Sequence, residues 1–83
     1  MYYIDLDFVA DNGAHAVELS NAMGADHTEI LIEEGPGGGF PYIRAWFYEQ
    51  PMVRAYLEAY CGDNSDTATD DYMELVQEGE LNV

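Results

Sequence analysis

Asp66, Asp70, Glu74 and Glu78 recur every four residues, a spacing that on a helix stacks carboxylates into a slowly winding row with neighbours about 6 Å apart. Like charges so placed destabilise a helix by roughly 0.2–0.5 kcal/mol per pair, so three consecutive pairs with no interposed base cost on the order of 1 kcal/mol. Asp5 and Asp7 offer similar geometry on a strand, where alternate side chains share a face at a separation of roughly 6.6 Å. Glu29 and Glu33 belong to the outer face of a neighbouring strand. Rows of carboxylates at these separations present the sign and a comparable spacing to nucleic-acid phosphates. A basic nucleic-acid-binding groove can accept them in place of phosphates and release counterions in the same way. Any one of these acids taken alone is explained by solubility.

The total is harder to explain that way. The chain has 83 residues, seventeen aspartates and glutamates, two arginines and no lysine, for a formal charge of -15. Residues 1–35 carry eight of the acids and residues 63–83 carry seven, whereas residues 36–62 balance Glu49 and Glu58 against Arg44 and Arg54. A folded body of this length has a radius of gyration of roughly 12 Å, comparable to the screening length of about 8 Å in physiological salt. Every carboxylate therefore feels several others, and the absence of any relieving lysine points to a negative surface that is itself the working part. Adaptation to a saturated-salt cytoplasm produces the same composition, and salt dependence of folding separates the two. The chain is 48% hydrophobic with eleven aromatic residues, unlike an acidic disordered segment. One domain over residues 1–83 is expected, with a thin stability margin.

Other chemistries are poorly supported. Asp63, Ser65, Thr67, Thr69, Asp71 and Glu74 fall at the ligand positions of an EF-hand-like loop, but Ala68 replaces the required glycine and a polar helix cap explains the same residues. The run Gly35-Pro36-Gly37-Gly38-Gly39 lacks the lysine and hydroxyl of a phosphate loop and follows Glu33 and Glu34, so it reads as a hairpin turn. His15 and His27 have no HxxxH or HExxH partner, and Cys61 is surrounded by acids that oppose a reactive thiolate. No catalytic group, metal ligand or cofactor is assigned. The single cysteine, the lack of a cationic leader and apolar stretches far shorter than the roughly 20 residues of a membrane span lead to a cytoplasmic protein with no membrane role.

The elements that must carry the acids follow from hydrophobic period. Ile4, Leu6 and Phe8 alternate with acids as a first strand. Asn12 and Gly13 open a helix to about residue 23, with Ala16, Leu19 and Met23 inward and Gly24 as its stop. Thr28, Ile30 and Ile32 face the core from a second strand, and Ile43, Ala45 and Phe47 do so from a third over residues 42–48. Tyr42, Arg44, Trp46 and Tyr48 share the opposite side, as an aromatic cluster of the kind that anchors interfaces or as a second small core. Pro51 starts a second helix, packed through Val53, Tyr56, Leu57 and Tyr60 and closed by Gly62. A third runs to about Glu78, packed through Tyr72, Leu75 and Val76. The order β-α-β-β-α-α predicts an α+β domain with a three-stranded, mainly antiparallel sheet packed by helices. Its core is expected to hold Ile4, Leu6, Phe8, Leu19, Met23, Ile30, Ile32, Phe47, Val53, Leu57 and Leu75.

A short, lysine-free acidic chain with carboxylate rows resembles the phage-encoded DNA mimics, in particular the small anti-CRISPR proteins and, more distantly, antirestriction proteins and uracil-DNA glycosylase inhibitors. The likeness is one of character over the whole chain, with no shared motif. It implies a stoichiometric, non-enzymatic inhibitor acting in a bacterial host cytoplasm. Its partner would be a basic nucleic-acid-binding protein, a CRISPR effector subunit above all, and the chain itself would have no affinity for nucleic acid. Asp5, Asp7, Glu29, Glu33, Asp66, Asp70, Glu74 and Glu78 are the expected contacts.

Overall fold

The alternation of Ile4, Leu6 and Phe8 with polar residues buries all three on one side of a strand, and the remaining elements collect around that side. The computed structural model describes residues 1–34, 39–62 and 66–81. Its element order is β1 (Tyr2–Asp7), α1 (Gly13–Ala22), β2 (His27–Ile32), β3 (Tyr42–Phe47), α2 (Gln50–Cys61), α3 (Asp66–Met73) and β4 (Gln77–Glu78). The sheet is four-stranded in the order β2-β3-β1-β4, with every pairing antiparallel. The α+β class and three helices stand as expected. The sheet gains β4, a two-residue strand against Tyr2 and Tyr3 that hydrophobic period cannot signal.

Helix ends follow local chemistry. Asn12 caps α1 by accepting from the His15 amide at 2.9 Å, and the Glu33 carboxylate accepts from the Gly13 amide at 3.1 Å. Both satisfy donors that a helix N-terminus leaves unpaired. A Cβ at Gly13 would stand 2.7 Å from that carboxylate, so glycine allows the approach. Pro51 lies in the first turn of α2, and Gly62 closes it at a positive φ of 87°, a conformation that glycine adopts without a Cβ penalty.

The helices pack one side of the sheet: α1 on β2 and β3, α2 on β1 and β3, and α3 on α2. Ile43, Ala45 and Phe47 meet Val53, Tyr56 and Leu57 there with essentially no exposure. Each large apolar side chain so buried is worth roughly 1.5–3 kcal/mol. Polar groups are tied in as well. Tyr56 Oη lies 2.7 Å from Ser20 Oγ, and Thr28 Oγ1 lies 2.8 Å from both Ser20 Oγ and Asn21 Oδ1, which links α2, α1 and β2 through hydroxyls.

Several expectations are corrected. Ile30 and Ile32 are 42% and 47% exposed, because β2 is an edge strand whose register shifts between them. Leu75 is 58% exposed, since α3 ends at Met73 and residue 75 lies in a turn. Leu19 and Met23 are half-buried at the core margin. Asp66–Met73, positions 4 to 11 of the EF-hand-like loop, is helical instead of looped, and residues 63–65 lie outside the described residues. The glycine turn at residues 35–38 lies outside the described residues, but the two strands that flank it do pair antiparallel. No described helix is long and apolar enough to cross a membrane.

Candidate partner-binding surface

On the side of the sheet away from the helices, Glu29, Arg44 and Asp5 stand in register across β2, β3 and β1. Strand pairing therefore sets a cation between two carboxylates. Arg44 binds Asp5 bidentately, Nε to Oδ1 at 2.6 Å and Nη2 to Oδ2 at 2.9 Å, the strongest geometry open to this pair. The guanidinium also lies 4.5 Å from the centre of the Tyr3 ring. Hydrogen bonding to Asp5 raises the Arg44 pKa, partial burial opposes the rise, and the Asp5 and Glu29 charges add to it. Glu29 in turn accepts a hydrogen bond from Trp46 Nε1.

Trp46 is only 4% exposed. Its ring packs 4.7 Å from that of Tyr3, and a Cβ placed at Gly79 would lie 3.6 Å from its edge. The segment after β4 thus covers the tryptophan, and Tyr3 Oη donates to Gln77 Oε1 at 3.0 Å on the same flank. Tyr3, Glu29, Arg44, Trp46, Glu80 and Leu81 line a concavity of about 300 Å³. Of the aromatic cluster expected on this side only Trp46 is packed, and its ring partner is Tyr3 of β1, while Tyr42 is exposed. Tyr48 stands apart, 70% exposed, with its amide donating to the Asp26 carboxylate at 2.9 Å.

The eight acids singled out from the sequence fall into different situations. Asp5 and Glu29 are engaged on the sheet, half-buried. Asp7 is exposed at the end of β1, where Tyr60 Oη donates to its carbonyl at 2.6 Å and lies 3.3 Å from Oδ1. Glu33 does not share the outer face with Glu29: past the register shift its carboxylate turns to the start of α1. Asp70 accepts from Arg54 Nη1 at 3.0 Å. The four-residue ladder does not persist as one helical row. Glu74 follows the last turn of α3, its amide donating to the Asp70 carbonyl at 3.3 Å, and Glu78 belongs to β4 opposite Tyr2. The side chain of Asp66 lies outside the described ones.

Arg54, the other arginine, also pairs with Glu58 at 3.3 Å, so α2 and α3 share one cation between two acids. Both arginines of the chain are therefore held by its own carboxylates. Exposed acids meanwhile stand on or beside every helix and both edge strands: Asp11 and Glu18 beside α1, Asp26, Glu33 and Glu34 around β2, Glu49 and Glu58 on α2, Asp71 and Glu74 by α3, Glu78 and Glu80 by β4. Among the described residues no group of three or more His, Cys, Asp or Glu is placed to hold a metal ion. Sequence period could not reveal Tyr3, Gln77 and Glu80 as neighbours of Arg44 and Trp46, because β4 brings them together from opposite ends of the chain. Comparison with family models, curated proteins and solved structures finds no match to this chain.

Proposed function

We propose that this protein is a non-enzymatic inhibitor that occupies the basic nucleic-acid-binding surface of a partner protein and competes with its DNA or RNA. The observation that carries the reading is the charge arrangement: -15 with no lysine, and both arginines neutralised internally. Such a surface attracts a basic groove from all directions and repels nucleic acid and anionic lipid. The exposed acids Asp7, Glu74 and Glu78, and Asp70 in exchange with its Arg54 partner, are the contacts of first choice, with Asp66 retained from the sequence reading. Asp5, Glu29 and Glu33 first serve the fold. Resemblance in character to the anti-CRISPR proteins makes a bacterial CRISPR effector the partner class to test, with restriction enzymes as the second.

The test is a competition assay. Purified CRISPR effector complexes are incubated with labelled target DNA and increasing amounts of this protein. The expected result is stoichiometric loss of DNA binding, with no mobility shift when the labelled DNA meets this protein alone. Binding to an effector that DNA does not disturb would sink the mimic reading.

A further inference from the structure

Among the described residues, β2 is an edge strand with β3 as its neighbour. An edge strand presents outward a row of backbone donors and acceptors that a further strand can satisfy. Proteins blunt such edges with lysine, proline, inward-pointing charge or a bulge; His27–Ile32 contains neither lysine nor proline, and its irregularity falls after Ile30, which leaves His27–Ile30 regular. Its single acid, Glu29, is folded onto Trp46. What remains is the irregularity at Leu31, which turns Ile32 to the open side opposite Tyr42 while Ile30 keeps to the helix side opposite Ile43. Ile30, Leu31 and Ile32 are left 42%, 40% and 47% exposed. An apolar strip along an unpaired edge marks an interaction site.

The charge around the strip selects its occupant. Exposed Asp26, with one carboxylate oxygen on the Tyr48 amide, precedes the strand, and exposed Glu34 follows it beside Glu33, which has one carboxylate oxygen on the Gly13 amide. A second copy of this chain laid along β2 would bring the same acids against one another, on top of the repulsion between two bodies of -15. An extended segment that mixes lysine or arginine with apolar residues meets both requirements. Its backbone continues the ladder at His27–Ile30, its apolar side chains cover Ile30 on the helix side, and its cations reach the acids at either end. We infer that β2 is the docking edge for an extended, basic and apolar segment of the partner protein, which adds to the sheet beside it. This rests on the reading of the chain as a ligand of basic proteins, and it supplies the directional contact that a diffuse negative field lacks.

The test uses the full chain and three synthetic peptides in salt of about 0.15 M, where long-range attraction is screened: one alternating lysine and valine, the same peptide N-methylated at alternate residues, and one alternating glutamate and valine. Backbone NMR and amide exchange follow binding. The lysine-valine peptide is expected to shift the resonances of His27–Ile32 and to protect the alternate, outward-facing amides of that strand, those not already bonded to β3. The N-methylated peptide, equal in charge but unable to complete the ladder, should bind at least roughly tenfold more weakly, and the glutamate peptide should not bind. Equal binding of the N-methylated peptide, protection at another element, binding of none of the peptides, or a dimer with β2 protected without peptide would each overturn the proposal. Loss of the peptide effect while the DNA competition persists would sink the edge alone; failure of the competition with the peptide effect intact would sink the mimic reading alone.

Discussion

Tyr56 and its hydroxyl partners join three elements at single atoms. Burial pushes the Tyr56 phenol up to about 12, against a partial opposing effect of the Ser20 hydrogen bond. Burial also raises the Tyr60 phenol, and the nearby Asp7 charge adds to the effect. An unfolded tyrosine ionises near pH 10, so between about pH 10 and 12 the unfolded chain releases protons that the folded chain retains. Stability should be insensitive to these groups below pH 10 and fall as pH rises through that window, measured as denaturation midpoint against pH. Ser20→Ala leaves the buried phenol without its partner and should destabilise by about 1–3 kcal/mol. Asp5→Ala removes both hydrogen bonds to a half-buried Arg44 and should cost a similar amount, while the double variant Asp5→Ala with Arg44→Ala should cost less than the sum of the two single changes. Additive denaturation energies would show that the pair is a surface ornament.

At the scale of elements, the short β4 and the segment after it hold the open side of the sheet together. Gly79 donates to the Met1 carbonyl at 3.0 Å, continuing the β1–β4 pairing, and this segment shields Trp46, the only tryptophan of the chain. Truncation after Val76 should shift tryptophan emission to the red and lower stability, and unchanged emission would contradict the packing. The charge ladder makes a second element-scale case. Glu74 sits just past the C-terminal end of α3, where a cation is favoured by roughly 0.3–1 kcal/mol, whereas Asp70 holds Arg54. Glu74→Lys should therefore stabilise slightly and Asp70→Lys should not, with either change weakening inhibition if α3 meets the partner. Strands with clear alternation and helices with explicit caps were legible in the sequence, as β1, α1, β3 and α2 show. The parts that were not depend on long-range pairing. Nothing local distinguishes the outward Ile32 from a core isoleucine until the shift at Leu31 is known, and a four-residue repeat of acids reads as one helix until β4 claims Glu78.

The whole molecule is a flattened body of 33 × 32 × 20 Å with a radius of gyration of 12.2 Å, so its charges lie within about four screening lengths of one another. Its hydrophobic core is complete at the centre of the sheet, where Ile4, Ile43, Phe47, Val53 and Leu57 are sealed. Folding in dilute buffer is therefore expected, unlike that of a halophilic protein, which needs molar salt. Screening should still help, because repulsion among like charges is larger in the folded state than in the expanded chain. Relief on the order of 1 kcal/mol corresponds to roughly 4–8 °C for a domain of this size, and calorimetry between about 0.02 and 0.3 M salt reads it directly. The same screening should slow association with a basic partner steeply, since attraction steers the encounter. Stability and binding thus respond to salt in opposite directions. A structural role for the acids would leave binding indifferent to salt, and a halophilic origin would leave the chain unfolded at the low-salt end. Circular dichroism at low salt together with association rates across the same range separates all three.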